Sequence, residues 1–312
     1  MRRWAAIVLL VQLSALAAGC GASTDPGPPL ALRPGDVVRS KPSHVVVVVM
    51  ENKEDRMVLG APGAPYLTRL ARTYARVPRS YAIRHPSLPN YLALTSGSTQ
   101  GVTSDCTDCR VDAPSIVEQL EARRISWKAY MQGMPTRCFA GASAAGYAKK
   151  HDPFAYYDAV ARDPSRCRKI VPYRELAADL RGGRLPTFAW ITPDLCNDSH
   201  DCDVRTGDRF LAQLVPLLLR GVGPRGFVVV TYDEGDTSRG CCGLAHGGRI
   251  ATVVAGPDVR GGFRHRGAVD HYGTLGTIEK ALGLPPLGRA ADPRSGRFTD
   301  VFRHPPHLRS GQ

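Results

Sequence analysis

Apolar positions in this chain fall into short unbroken runs that alternate with longer periodic ones. "HVVVVVMEN", His44 to Asn52, is a near-continuous β-branched run, the pattern of a strand buried on both faces at the centre of a parallel sheet. "GFVVVTYDEGD", Gly226 to Asp236, repeats it, and "PTFAWITPD", Pro186 to Asp194, and "GGRIATVVAGPD", Gly247 to Asp258, add two more strands. Between them lie helical patterns. "SIVEQLEARR" begins at Ser115, "FLAQLVPLLLRG" at Phe210 and "YGTLGTIEKALGL" at Tyr272, the second stopping at a glycine, as helices often do. The run Tyr91-Leu92-Ala93-Leu94 reads as the first turns of another helix. Strands alternating with helices predict an α/β fold, a mostly parallel sheet covered by helices on both faces.

The N-terminus has a different pattern. "MRRWAAIVLLVQLSALAAGC" has two arginines, an apolar stretch and a small-residue exit at Cys20, which predicts a signal peptide over residues 1–20. Its "LAAGC" ending resembles a lipobox, so export with a lipidated Cys20 and export with simple release are both open. Residues 21–43 are rich in Pro, Gly and Ser and are expected to form a tether. One domain is expected over 44–305, with a short tail over 306–312. No later run is long enough for a second membrane span.

Cysteine usage agrees with export. Apart from Cys20 there are Cys106, Cys109, Cys138, Cys167, Cys196, Cys202, Cys241 and Cys242, an even set that predicts disulfides while leaving the pairing open. A zinc site built from "CTDC" and "CC" is the weaker alternative, because a second C-x-x-C is missing. The formal charge of +13 would draw the chain to phosphates or anionic lipids, yet the basic residues are dispersed and no nucleic-acid motif appears. A nucleic-acid partner is not expected, and the chain is expected to act as a monomer.

Charge position says more than net charge. In a parallel α/β sheet the ligand site lies beyond the carboxyl ends of the strands. Glu51 and Asn52, Asp194, and Asp233 with Glu234 all follow strand ends directly, with His200 and His246 near by in sequence. Carboxylates converging on one edge would repel one another unless a cation sat among them, which predicts a divalent metal site. Ser87 adds a hydroxyl to this picture. It stands between Pro86 and Pro89 at a helix entrance, where it reads either as an N-cap or as a nucleophile favoured by the helix N-terminus.

Five ordered stretches, "VVVVMENK", "HPSLPNYLAL", "TPDLCNDSHDCD", "TYDEGD" and "LAHGGR", make the chain similar to the bacterial phosphoesterase family. That family holds secreted acid phosphatases, phosphatidylinositol-3-phosphatases and phospholipases C, and belongs to the alkaline-phosphatase superfamily. The resemblance runs from about His44 to Leu284 and implies an exported, metal-dependent acid phosphatase. It would act on a small-molecule or lipid phosphate monoester through a phosphoserine intermediate. Ser87 matches the nucleophile, and Asn90 the asparagine that holds a phosphate oxygen. Glu51, Asn52, Asp233 and Glu234 match ligands of the metal that also meets the Ser87 oxygen. Asp194 and His246 match positions of a second metal or of substrate contacts, and His200 or His85 would protonate the leaving alkoxide. One divalent ion (Ca, Zn, Mg or Mn) is implied, with a second left open.

Four other readings are weighed at this level. A phospholipase C would use the same core on phosphodiesters. A sulfatase is disfavoured because Tyr91 stands where the sulfatase signature has arginine, and a serine hydrolase because no G-x-S-x-G elbow occurs. A surface lipoprotein that merely binds would need the acidic edge for a structural cation but would not need Ser87.

Overall fold

The computed structural model describes residues 27–306 and 308. The expected signal peptide and Cys20 lie outside the described residues. The seven strands of the main sheet are β1 (Val45–Met50), β2 (Ala75–Arg76), β3 (Trp127–Met131), β4 (Ile170–Pro172), β5 (Phe188–Thr192), β6 (Phe227–Tyr232) and β7 (Thr252–Ala255). Their spatial order is β2-β7-β6-β1-β5-β3-β4. From β6 to β4 the pairs are parallel, while β7 runs antiparallel to both β6 and β2. The fourth strand of the sequence reading therefore exists but points the other way. This reversal puts the N-terminal end of β7 beside the carboxyl end of β6, with Thr252 opposite Thr231.

β1 is the centre of the fold, as its composition predicts. Every residue of it is buried, and alternate side chains go to opposite faces. Val45, Val47 and Val49 join a core with Leu88, Tyr91, Leu92, Leu275 and Ile278. Val46, Val48 and Met50 join another with Phe210, Leu211, Leu214 and Leu218. The longer helices are α1 (Pro65–Thr73), α2 (Ser87–Ser96), α3 (Ile116–Ala122), α4 (Glu175–Arg181), α5 (Val204–Gly221) and α6 (His271–Leu282). Leucines and aromatics of α2, α3 and α6 fall in the first core, those of α1, α4 and α5 in the second, so helices cover both faces. Each fully buried Val or Leu contributes about 1.5–3 kcal/mol, which makes this two-sided burial the main stabilising term.

Helix starts follow local chemistry. Ser115 caps α3 through its hydroxyl and a capping box with Glu118. α5 begins at Val204, six residues ahead of the apolar run, because Asp203 supplies a cap to Thr206 N. Residues 27–43, expected as a tether, lie against the domain. Val37 is buried in the second core, Leu30 and Leu32 pack on it, and Gly27 N–H donates to Asp194 at 2.8 Å. Three apolar side chains give this Pro-rich segment enough to bury. In the expected tail, Leu308 is likewise buried.

All eight cysteines of the domain are paired: Cys106–Cys109, Cys138–Cys167, Cys196–Cys202 and Cys241–Cys242. The disulfide expectation holds, and the zinc alternative fails because its sulfurs are bonded to each other. This cross-linking fits a chain that folds in an oxidising compartment.

One buried carboxyl makes stability depend on pH. Glu279 in α6 is buried, its Oε1 accepts from Leu287 N at 2.8 Å, and its Oε2 has no partner. Burial pushes its pKa up to about 8. A folded-state pKa raised above the unfolded value gives stability that is full below about pH 4.5 and is lost as pH rises through 8. Thermal melts should therefore show wild type losing stability over that window. Glu279→Gln should remove a share of the loss of the order of 3 kcal/mol, and parallel curves for the two proteins would refute the assignment.

Candidate active site

Strand register builds the acidic edge. Met50 pairs with Tyr232 across β1 and β6, so Glu51 and Asp233 leave adjacent strands side by side. Asn52 takes the left-handed conformation (φ 54°) and its backbone N–H donates to Asp233 Oδ1 at 3.0 Å. His271, at the start of α6, bonds through Nε2 to the Asp233 carbonyl. It is buried neutral, with its pKa pushed down to about 4 by desolvation, and serves to hold the strand end in place.

α2 carries the hydroxyl into this edge. Pro86, not Ser87, is the N-cap, and Ser87 is the first helical residue. Its side chain does not cap. Ser87 Oγ instead donates towards Glu51 Oε2 at 3.2 Å and Glu234 Oε1 at 3.4 Å, and the residue is buried. The N-cap reading of Ser87 is thus set aside by geometry. The free helix N–H of Leu88 is taken by Asp105 Oδ1 at 2.9 Å. One turn on, the Tyr91 hydroxyl donates to Glu51 Oε1, and its ring stacks on His151 at 5.4 Å.

Asn90 is tied to the loop that precedes Ser87. Its Oδ1 accepts from Ile83 N (2.9 Å) and Arg84 N (3.2 Å), and its Nδ2 donates to Arg84 O (2.7 Å) and Pro86 O (3.2 Å). Both ends of the amide are hydrogen-bonded to the loop before Ser87, which braces that loop. Asp194 is likewise committed. Its oxygens accept from the N–H groups of Gly27, Cys196 and Asn197 and from Asn197 Nδ2, which shapes the turn carrying Asp198 and His200. His246 is exposed, its backbone N–H donates to the Ile83 carbonyl (2.7 Å), and it lines a cavity whose wall also includes His85.

Residues that the sequence reading missed complete the site. His151 is buried, with Nε2 3.3 Å from Glu51 Oε2 and Nδ1 3.5 Å from Asp198 Oδ2. Asp198 is buried, accepts from His200 N at 2.7 Å through Oδ1, and leaves Oδ2 without a hydrogen bond. Lys150 reaches Asp105 (3.1 Å) and His200 Nε2 (3.2 Å), and His200 Nδ1 is 2.6 Å from Asp201 Oδ1. His85 Nδ1 is 2.6 Å from Glu234 Oε2, with the ring partly exposed at the mouth. His151 and Lys150 follow one another in a polar loop without periodicity. Only their direct succession ahead of Pro153 marked them, and that signal is weak.

The electrostatics are those of an edge built for a cation. Burial, then Asp233 and Asp198, hold the Glu51 pKa well above the carboxylate range. Burial, then Asp233 and Asp105, push Glu234 up to about 9, and burial raises Asp198 and Asp233. Burial, helped by Lys150 and His200, keeps the His151 ring neutral, the form that binds metals. Burial works against the Lys150 charge, but Asp105, Glu51 and Asp233 together raise its pKa. Asp233 Oδ2, Asp198 Oδ2 and His151 Nε2 are all buried without hydrogen-bond partners. Ligand atoms of Glu51, His151 and His200 lie within 4.8 Å of one another. Oxygen and imidazole donors in this density suit a divalent ion.

A seven-stranded α/β sheet with its acidic edge and buried serine places the fold among the alkaline-phosphatase-like proteins. A member of the alkaline phosphatase superfamily from Vibrio parahaemolyticus superposes with a TM-score of 0.55 at 14% identity, covering 83% of this chain and 70% of that one. The Phosphoesterase family profile matches residues 57–285. The chain belongs to that family and is a phosphoric ester hydrolase. It is 30% identical to a phosphatidylinositol-3-phosphatase of Mycobacterium tuberculosis over 83% of both chains. It is 29% identical to an acid phosphatase of Aspergillus fumigatus, over 67% of this chain and 48% of that protein, about half its length.

Cation binding follows directly from the buried charge. A divalent ion at a hundred times its Kd should stabilise the protein by about 2.7 kcal/mol in thermal melts. Chelator should reverse the shift, and Glu51→Gln should abolish it. A melt insensitive to chelator and to Mn, Zn, Ca and Mg would refute the metal assignment.

Proposed function

We propose that the chain is an exported acid phosphatase that hydrolyses phosphate monoesters, phosphatidylinositol 3-phosphate among them, through a phosphoserine on Ser87. The observation that carries this reading is the Ser87 hydroxyl, buried in the first turn of α2 and directed at two carboxylates of the acidic edge. A binding protein with a structural cation has no use for that hydroxyl.

Glu51, Asn52, Asp233, Glu234 and the Ser87 oxygen would hold a divalent ion, with His151 and His200 placed to share Glu51. When bound, the ion supplies positive charge to an edge that would otherwise repel a phosphate dianion, together with Lewis acidity. The remaining work belongs to the chain. As the bond from Ser87 Oγ to phosphorus forms, the hydroxyl, held by its contacts to Glu51 and Glu234, releases its proton to water. The bond from phosphorus to the leaving oxygen breaks, and His85, steadied by Glu234 at the mouth, gives that alkoxide its proton. Lys150 offers a cation to the equatorial oxygens of the transferring group. In the second half, water attacks phosphorus and yields its proton to His85 or His200. The Oγ–P bond then breaks, Ser87 recovers a proton, and phosphate leaves.

Hydrolysis of p-nitrophenyl phosphate and bis-p-nitrophenyl phosphate between pH 4 and 9 tests this reading. The monoester should be preferred, chelator should remove turnover, and Ser87→Ala should lower kcat by more than about a thousandfold with the fold intact. Preference for the diester would move the chain to the phospholipase C type. Turnover that survives in Ser87→Ala would contradict the nucleophile.

A further inference from the structure

Beside the acidic edge lies a cavity of about 540 Å³ that the mechanism above does not use. His85 forms part of its wall. Because His85 holds one oxygen of Glu234 and Ser87 faces the other, the cavity opens at the point where the leaving group would depart. Its remaining polar lining is Arg84, Arg289, Ser98, Thr99, His246 and Tyr272, and no carboxylate of the described residues contributes. Neither Arg84 nor Arg289 has an ion-pair partner within 4.0 Å among the described residues, whereas many arginines elsewhere in the domain do, such as Arg137 with Glu175 and Arg166 with Glu121. Asp292, close in sequence to Arg289, pairs with Arg294 at 2.6 Å and feels Arg289 only through longer-range charge. Arg84 Nε donates to the His85 carbonyl at 3.3 Å, and both guanidiniums act on the Tyr272 phenol, where they oppose the rise that burial causes in its pKa.

The two arginines are also fixed relative to the nucleophile. The backbone of Arg84 donates to Asn90 of α2, and that of Arg289 donates to the Gly97 carbonyl at the C-terminal end of the same helix, at 2.8 Å. Gly97 has φ 69°, and a Cβ there would sit 2.1 Å from the Leu287 carbonyl oxygen, so the Arg289 segment abuts the end of α2. One helix therefore carries the serine at its start and anchors both cations at a set span from it.

We propose that this cavity is the leaving-group site and that it selects phosphate monoesters whose alcohol carries a second phosphate. This rests on the monoester reading above. Arg84 and Arg289 would take the second phosphate with charge-assisted hydrogen bonds, and Ser98, Thr99 and Tyr272 offer hydroxyls to the polyol between. The second phosphate is a monoester in a soluble bisphosphate and a diester in a phosphoinositide; both present non-bridging anionic oxygens, the diester with the lower charge.

The test is kcat/KM at fixed ionic strength for two matched pairs, with p-nitrophenyl phosphate as reference. One pair is glucose 1,6-bisphosphate against glucose 6-phosphate. The other is short-chain monomeric phosphatidylinositol 3-phosphate against inositol 3-phosphate. Wild type should favour the doubly phosphorylated partner by about tenfold in at least one pair, and Arg289→Ala and Arg84→Gln should each bring that ratio close to one. Arg264→Ala, which lies outside this cavity, should leave the ratio as in wild type. Preference in the sugar pair alone assigns a monoester second phosphate, and in the lipid pair alone a diester. Ratios near one in wild type alongside sound p-nitrophenyl phosphate turnover, or ratios unmoved by both arginine variants, would overturn the proposal. Absence of any monoester turnover in wild type would instead overturn the phosphatase reading, and this proposal with it.

Discussion

Three carboxylates, Glu51, Asp198 and Asp233, are fully buried together at the carboxyl edge of one sheet, with Glu234 beside them. Removing like charges from water and placing them in contact opposes folding, and nothing in the hydrophobic core relieves it. The surrounding structure is arranged around that opposition. Tyr91 fixes one oxygen of Glu51, the Asn52 N–H and His271 fix Asp233 from two sides, and Lys150 brings a positive charge that feels both Glu51 and Asp233. The valines of β1 and the helices on both faces supply the stability that allows such an edge to persist. The proposed cation would be the counterpart that turns this locally unfavourable arrangement into a working one.

Much of this was legible from residue pattern alone, for a physical reason. A strand buried on both faces must be a continuous apolar run, and polar residues directly after such a run must sit at a sheet edge, so β1, β5 and β6 and their terminal acids could be read off. β7 was read as a strand but not as a reversed one, because a short apolar run carries no direction. Residues 27–43 read as a tether because Leu30, Leu32 and Val37 are too sparse to show periodicity, yet three apolar side chains suffice to seat them.

The site was legible where strands deliver it and obscure where loops do. Ser87 stood out through its flanking prolines, but sequence could not separate a capping hydroxyl from one turned towards carboxylates. That distinction lies in one side-chain direction. Asn90 and Asp194 match functional positions and also make hydrogen bonds to the loops around them, a use that pattern cannot reveal. His151, Lys150 and Asp198 reach the edge from aperiodic segments, and Asp198 and His200 sit in a turn that Cys196–Cys202 closes. Loop geometry of this kind is set by long-range contacts rather than by local propensity.

α2 joins these parts. Its first residue is Ser87, the proposed nucleophile, its second turn holds Glu51 and His151 through Tyr91, and Gly97 at its end receives the segment carrying Arg289. The central claim is that Ser87 Oγ becomes bonded to phosphorus during turnover. Acid quenching of the protein during hydrolysis of a good monoester substrate, followed by peptide mass mapping, tests it most directly. The account predicts a single phosphoryl group on the peptide containing Ser87, absent when the quench is delayed until substrate is exhausted. A phosphoryl group on a histidine, or none on any peptide while turnover proceeds by direct attack of water, would contradict it.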